Sequence, residues 1–123
     1  MRIIFRYIRF MKALIDWETF ESVQLEVGTV ISAEPFPEAR KPALIVHVDF
    51  GIPRGILKTS AQITQRYQSH ALIGKQVVGV VNFPRKQIGP FQSEFLLLGA
   101  LDANNGTALI TVDEAVEPGT RIA

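Results

Sequence analysis

Gln24-Leu25-Glu26-Val27-Gly28-Thr29-Val30-Ile31 is the stretch that decides the fold. Leu25, Val27, Thr29 and Ile31 alternate with Gln24, Glu26, Gly28 and Val30, and a period of two places successive side chains on opposite faces of a strand. A glycine inside such a run marks a bulge or a sharp bend. A small barrel needs one where a strand turns its corner, so the segment reads as the bent first strand of a barrel.

Upstream, Asp16 is placed to cap a short helix through Trp17, Phe20 and Val23, with Glu18 in its first turn where the helix dipole favours an acid. The first ten residues follow no such pattern. Arg2, Arg6 and Arg9 interrupt Ile3, Ile4, Phe5, Tyr7, Ile8 and Phe10, so no apolar run reaches the length of a signal-peptide core or a membrane span. A basic amphipathic surface segment is one reading. The preferred one is an extension outside the fold, with Met11-Lys12 as a second start and the domain running over residues 11–123.

Downstream, the prolines of Phe36-Pro37-Glu38-Ala39-Arg40-Lys41-Pro42 mark a loop. Leu44, Val46, Val48 and Phe50 then share one strand face. Gly51 and Pro53 end that strand, and Gly55 to Thr59 supply its hairpin partner. Ser60 reads as the N-cap of a helix through Ile63 and Tyr67. Val77 to Val81 form a fourth strand, Phe83 to Pro90 a turn-rich loop, and Glu94 to Leu101 a fifth strand. Asn104-Asn105-Gly106 is a hairpin signal before a sixth strand from Ala108 to Val112. The expected fold is all-β: a five-stranded OB-fold barrel, closed between about Gln24 and Leu101, with a short inserted helix and N- and C-terminal additions. A β-sandwich is the alternative, but it usually needs seven or more strands.

Composition narrows the function. A chain of 123 residues holds one domain. The absence of cysteine excludes a disulfide framework, a thiolate metal site and a cysteine nucleophile. The net charge of +1 conceals an uneven distribution. Residues 39–94 hold Arg40, Lys41, Arg54, Lys58, Arg66, Lys75, Arg85 and Lys86 against Asp49 and Glu94, a balance of +6, while the flanking stretches 12–38 and 95–123 are acidic. A basic middle suggests one positive face for a polyanion, although charges of this kind also merely solvate loops.

Catalytic groups are scarce. Only His47 and His70 are bases near neutral pH. His47 shares a strand face with Asp49, but no nucleophile or metal ligand completes a site, and a structural role is the better reading. No carboxylate dyad occurs in the basic middle, and the isolated glycines build no phosphate-cradling loop. No enzyme and no cofactor are expected. What remains are polar and basic groups on loops: Arg40 and Lys41 in one, and Asn82, Arg85, Lys86, Gln87, Gln92 and Ser93 around another. Such residues grip phosphates and base edges, and Phe83 or Phe91 would stack on unpaired bases. Core packing is the competing role for both rings, more readily for Phe83.

Four segments carry a family likeness: Phe36 to Pro42, Thr59-Ser60-Ala61-Gln62-Ile63-Thr64, Leu72-Ile73-Gly74-Lys75-Gln76-Val77, and Asn82 to Phe91. In this order they resemble CsaA-type proteins of the tRNA-binding domain family, which is also found appended to methionyl- and phenylalanyl-tRNA synthetases. The resemblance spans about residues 14 to 122. It implies an OB barrel, a homodimer, and recognition of tRNA by shape. It also implies, as an alternative, a peptide-binding chaperone for exported preproteins working through apolar surface of the dimer. Lys41, Asn82 and Ser93 match polar positions of the family pattern, whereas Glu94-Phe95 stands where the synthetase-appended domains usually read Gly-Met. The expectation is therefore a cytoplasmic, non-catalytic tRNA binder with no membrane attachment, gripping RNA through Arg40, Lys41, Asn82, Arg85, Lys86, Gln92 and Ser93.

Overall fold

The computed structural model describes residues 11–123; the proposed extension, residues 1–10, lies outside the described residues. Asp16 caps helix α1 (Trp17–Glu21) as its position suggests, with Oδ1 accepting the Thr19 N–H at 2.8 Å. The helix buries none of its residues, so the cap and not packing defines where it starts.

Strand β1 (Leu25–Pro35) is the spine. One edge of its first half pairs with β4 (Gln76–Val80), Leu25 facing Val80 and Thr29 facing Gln76. Its second half pairs with β2 (Leu44–Asp49), which in turn pairs with β3 (Ile56–Ala61). The bend is real, but its location differs from the expectation. The register slips between Val30 and Ser32, so Ile31 is the extra residue and its side chain turns outward. Gly28 serves a close approach instead: a Cβ there would overlap Val48 Cγ1 and lie 2.9 Å from the Phe50 ring.

The even residues of β2 point into the barrel as the alternation requires. Leu44, Val46, Val48 and Phe50 join Val30, Ile63, Leu72, Val77, Val81 and Phe95 in one core. Phe50 and Phe95 meet edge to face, centroids 5.0 Å apart at 82°, the arrangement ring quadrupoles favour. His47 lies half-buried on the opposite face of β2, opposite Lys58, consistent with a structural place.

The expected helix starting at Ser60 does not form. Ser60 belongs to β3, facing Ile45 across the ladder, and its N–H donates to Ser93 Oγ at 3.2 Å. A strand partner has claimed the residue that local sequence offered as a cap. Only a turn at 63–67 and a 3-10 segment, Ser69–Leu72, occupy the connection to β4, and Leu72 plugs the core.

The turn-rich loop after β4 contains a hairpin, β5 (Lys86–Ile88) and β6 (Phe91–Ser93), joined through Gly89 at φ +56°. The single fifth strand is instead divided. Leu96–Leu97 (β7) pairs with β4, and Gly99–Ala100 (β8) pairs with β9 (Ala108–Leu109) across the expected Asn-Asn-Gly turn. Closure of the barrel comes from β3 meeting the β6–β7 segment: Glu94 N–H donates to Lys58 O at 2.8 Å, and Thr59 Oγ1 donates to Phe95 O at 2.8 Å. The result is a nearly closed OB barrel. A last strand, β10 (Arg121–Ile122), returns to pair with Leu25 and Glu26 of β1. Among the described residues no helix is long and apolar enough to cross a membrane.

Candidate nucleic-acid interface

The loop between β1 and β2 and the β5–β6 hairpin face each other across β3 and enclose a groove of about 1000 Å³. Arg40 and Lys41 of the loop and Arg85 and Lys86 of the hairpin segment line it together with Ser60 and Ser93. Two basic segments more than forty residues apart in sequence thus converge on one cavity, with Glu38 as its acidic member. The convergence follows from the ladder: β3 runs between the loop that ends at β2 and the hairpin that follows β4.

The seven residues singled out from sequence divide into two groups. Arg40, Lys41, Arg85 and Lys86 are exposed and line the groove. Arg85 is not a free cation, because its guanidinium lies 3.3 Å from Glu94 Oε2. Glu94 is held in place by the Lys58 N–H, which donates to Oε1 at 3.1 Å. Ser93 also lines the groove, but it is buried and accepts the Ser60 N–H. Gln92 is exposed on the hairpin and outside the groove lining.

Asn82 has a different setting. Its Oδ1 accepts the Gln24 N–H at 2.9 Å, and its Nδ2 donates to Ser22 O at 2.7 Å. It latches the link between α1 and β1 onto the end of β4, and its second Nδ2 hydrogen and second Oδ1 lone pair stay free on an exposed side chain.

The two phenylalanines exchange the roles their sequence contexts suggest. Phe91 packs on Phe36 with centroids 5.4 Å apart, and Lys58 Nζ lies 5.1 Å from its ring centre. Phe83 is 52% exposed on the groove wall. Sequence reasoning assigns no site role to Glu94, Ser60 and Thr59. Only their partners across the barrel reveal them.

Away from the groove, Glu26 is 8% exposed and forms a two-pronged pair with Arg54, at 2.7 and 2.9 Å, while Gln24 Nε2 donates to it at 2.8 Å. The hydrogen bonds from Arg54 hold the Glu26 carboxyl below the usual carboxylate range, and the same pair raises Arg54. This is structural charge, satisfied within the protein. Among the described residues no group of acids and histidines is arranged to hold a metal ion.

A nearly closed barrel with a groove lined by four basic side chains defines a domain of the OB class. Residues 25–121 match the family described as "Putative tRNA binding domain", and the chain belongs to that family. The chain is 42% identical to the chaperone CsaA of Bacillus anthracis str. Ames, with a TM-score of 0.86 over 90% of this chain and 100% of that one. The CsaA chaperone protein of Picrophilus torridus is equally similar, at 42% identity and a TM-score of 0.84, covering 89% of this chain and 100% of that one. A methionine–tRNA ligase of Haloquadratum walsbyi is 40% identical over 109 residues, 88% of this chain and 14% of that protein. The chain therefore spans about a seventh of the length of the ligases it matches, and the family is one of binding domains rather than catalysts.

Proposed function

We propose that this protein binds tRNA through the groove between the β1–β2 loop and the β5–β6 hairpin, as a non-catalytic cytoplasmic module. The observation that carries the reading is the convergence of Arg40 and Lys41 with Arg85 and Lys86 on one cavity of a tRNA-binding-domain barrel. Lys41, Arg40 and Lys86 contact phosphates. Arg85 stands beside them with its charge answered by Glu94 at 3.3 Å, and contributes less than the other three. Gln92 adds a polar contact at the hairpin, Ser93 forms the floor, and Asn82 acts by holding β4 in place. Phosphate contacts fix position without reading sequence, so different tRNAs bind alike. The test is a titration of bulk tRNA against the protein and a Lys41→Ala, Lys86→Ala double variant. The reading predicts weaker binding and a shallower salt dependence in the variant, and unchanged affinity and slope refute it.

A second reading, peptide binding as a chaperone, is favoured by the exposed apolar surface at Leu14, Trp17 (84% exposed) and Leu101, and by the description of the two structural neighbours as chaperones. Exposed large apolar side chains such as these also support a homodimer that would cover them. Light scattering at micromolar concentration distinguishes dimer from monomer. Suppression of client aggregation by the double variant would assign chaperoning to this surface and not to the groove.

A further inference from the structure

Phe83 poses the question that phosphate binding leaves open. A large ring stands exposed on the wall of a basic groove, whereas the other phenylalanine of the same region is packed away on Phe36. Phosphates have no use for a phenyl ring; a nucleobase does, since every base offers a face that stacks on an aromatic side chain.

The same groove has a second chemistry in its lining. Ser60 Oγ and Ser93 Oγ lie 3.3 Å apart, and Ser93 Oγ also accepts the Ser60 N–H at 3.2 Å. Two hydroxyls carry two hydrogens, and the contact between them uses one. The other remains available to donate, whichever serine holds it. The groove thus presents one aromatic face, at least one hydroxyl donor and a cationic rim to the same occupant. Its volume lies at the upper end of the roughly 300–1,000 Å³ typical of small-ligand sites, enough for a nucleotide and not for a helix.

We propose that the groove receives one unpaired nucleotide of the RNA: its base stacked on Phe83, an acceptor on its edge facing the Ser60–Ser93 hydroxyls, and the phosphates on its two sides held by Lys41 and Lys86. The inference rests on the RNA-binding reading above and specifies which part of the RNA enters. A base inside a duplex is already stacked and paired, so rim cations reach its backbone while Phe83 and the serines reach nothing. A nucleotide in a loop or at an end already lies outside the stack and enters without breaking a base pair. The positive rim and the hydroxyl donor suit an anionic, acceptor-rich ligand better than an extended peptide.

The experiment compares two RNAs by fluorescence anisotropy at fixed salt: a hairpin with a loop of unpaired uridines, and a blunt duplex of the same stem. The proteins are the unmodified chain, Phe83→Ala and Phe83→Trp, each checked for an unchanged melting temperature. The expected result is a preference of about tenfold for the hairpin, equivalent to about 1.4 kcal/mol and within the range for one stacked base. Phe83→Ala abolishes the preference without changing duplex affinity or its salt slope, and Phe83→Trp retains it. Equal affinity of the unmodified protein for both RNAs overturns the proposal, as does an equal loss on both in Phe83→Ala. Displacement of the hairpin by an uncharged extended peptide but not by oligouridine also overturns it, giving the groove to protein. Failure to bind either RNA sinks the RNA-binding reading itself, a different result from binding both equally.

Discussion

Glu94→Gln tests the electrostatics of the groove with a sign opposite to that of most binding-site substitutions. In the native protein Arg85 sits 3.3 Å from Glu94, so three of the four rim cations carry uncompensated charge: Arg40, Lys41 and Lys86. Each neutralised phosphate contributes about −0.9 to the slope of log affinity against log salt, which gives about −2.7 and a loss of about fortyfold between 50 and 200 mM salt. Glutamine keeps the Oε1 acceptor for the Lys58 N–H and removes only the charge. Arg85 then becomes a fourth free cation, the slope steepens to about −3.6, and the loss over the same interval grows to about 150-fold. Affinity at the lower salt rises accordingly. The assay is a tRNA titration at four or five salt concentrations, with Arg85→Ala alongside. That variant should weaken binding while leaving Glu94 as an unpaired acid at the groove. An identical slope for the native protein and Glu94→Gln would refute the placement of Arg85 at the RNA and the compensation by Glu94 together.

Three further outcomes follow from contacts away from the groove. Gly28→Ala forces a Cβ into Val48 and to 2.9 Å from Phe50, so thermal unfolding should show a loss of about 1–3 kcal/mol from overpacking. Glu26→Gln should cost about 2 kcal/mol at neutral pH, between the values for exposed and fully buried pairs. Because the folded-state carboxyl titrates below its ordinary value, the stabilisation is complete above about pH 4.3 and fades as the pH falls through the lower folded value. Denaturant melts across that range should therefore show the native and Glu26→Gln proteins converging in acid. Asn82→Ala removes the bonds to Gln24 and Ser22 and should lower stability by about 1–2 kcal/mol while leaving the salt slope of RNA binding unchanged, which a paired melt and titration will check.

The barrel was legible where one face of a strand is apolar. Leu44, Val46, Val48 and Phe50 announce their burial through alternation alone, and Asp16 announces the start of α1 through its side chain. The errors arose where a partner distant in sequence decides. Ser60 is a good local cap, but Ser93, thirty-three residues on, draws it into the barrel seam. Gly28 has the conformational freedom of a bend residue, yet the bend falls at Ile31, because Gly28 is needed where Val48 and Phe50 press against β1. The basic rim could be read from charge clustering in two loops. That Arg85 is compensated, that Asn82 is a latch, and that Phe83 rather than Phe91 faces the groove all depend on contacts formed only once the barrel closes.

The pairing of Leu25 with Ile122 sets the first and last strands of the barrel side by side, so the chain enters and leaves the barrel at neighbouring positions. Entry and exit of the chain at one place give the barrel the geometry of a cassette. Sequence that precedes β1 or follows β10 meets the barrel at one place, and neither the loop at residues 38–43 nor the hairpin at 86–93 is interrupted. Domains with adjacent ends tolerate attachment and insertion, because the host chain need not span the domain to continue. A barrel of this construction is as well suited to ride on a larger protein as to stand alone, with its groove intact in either setting.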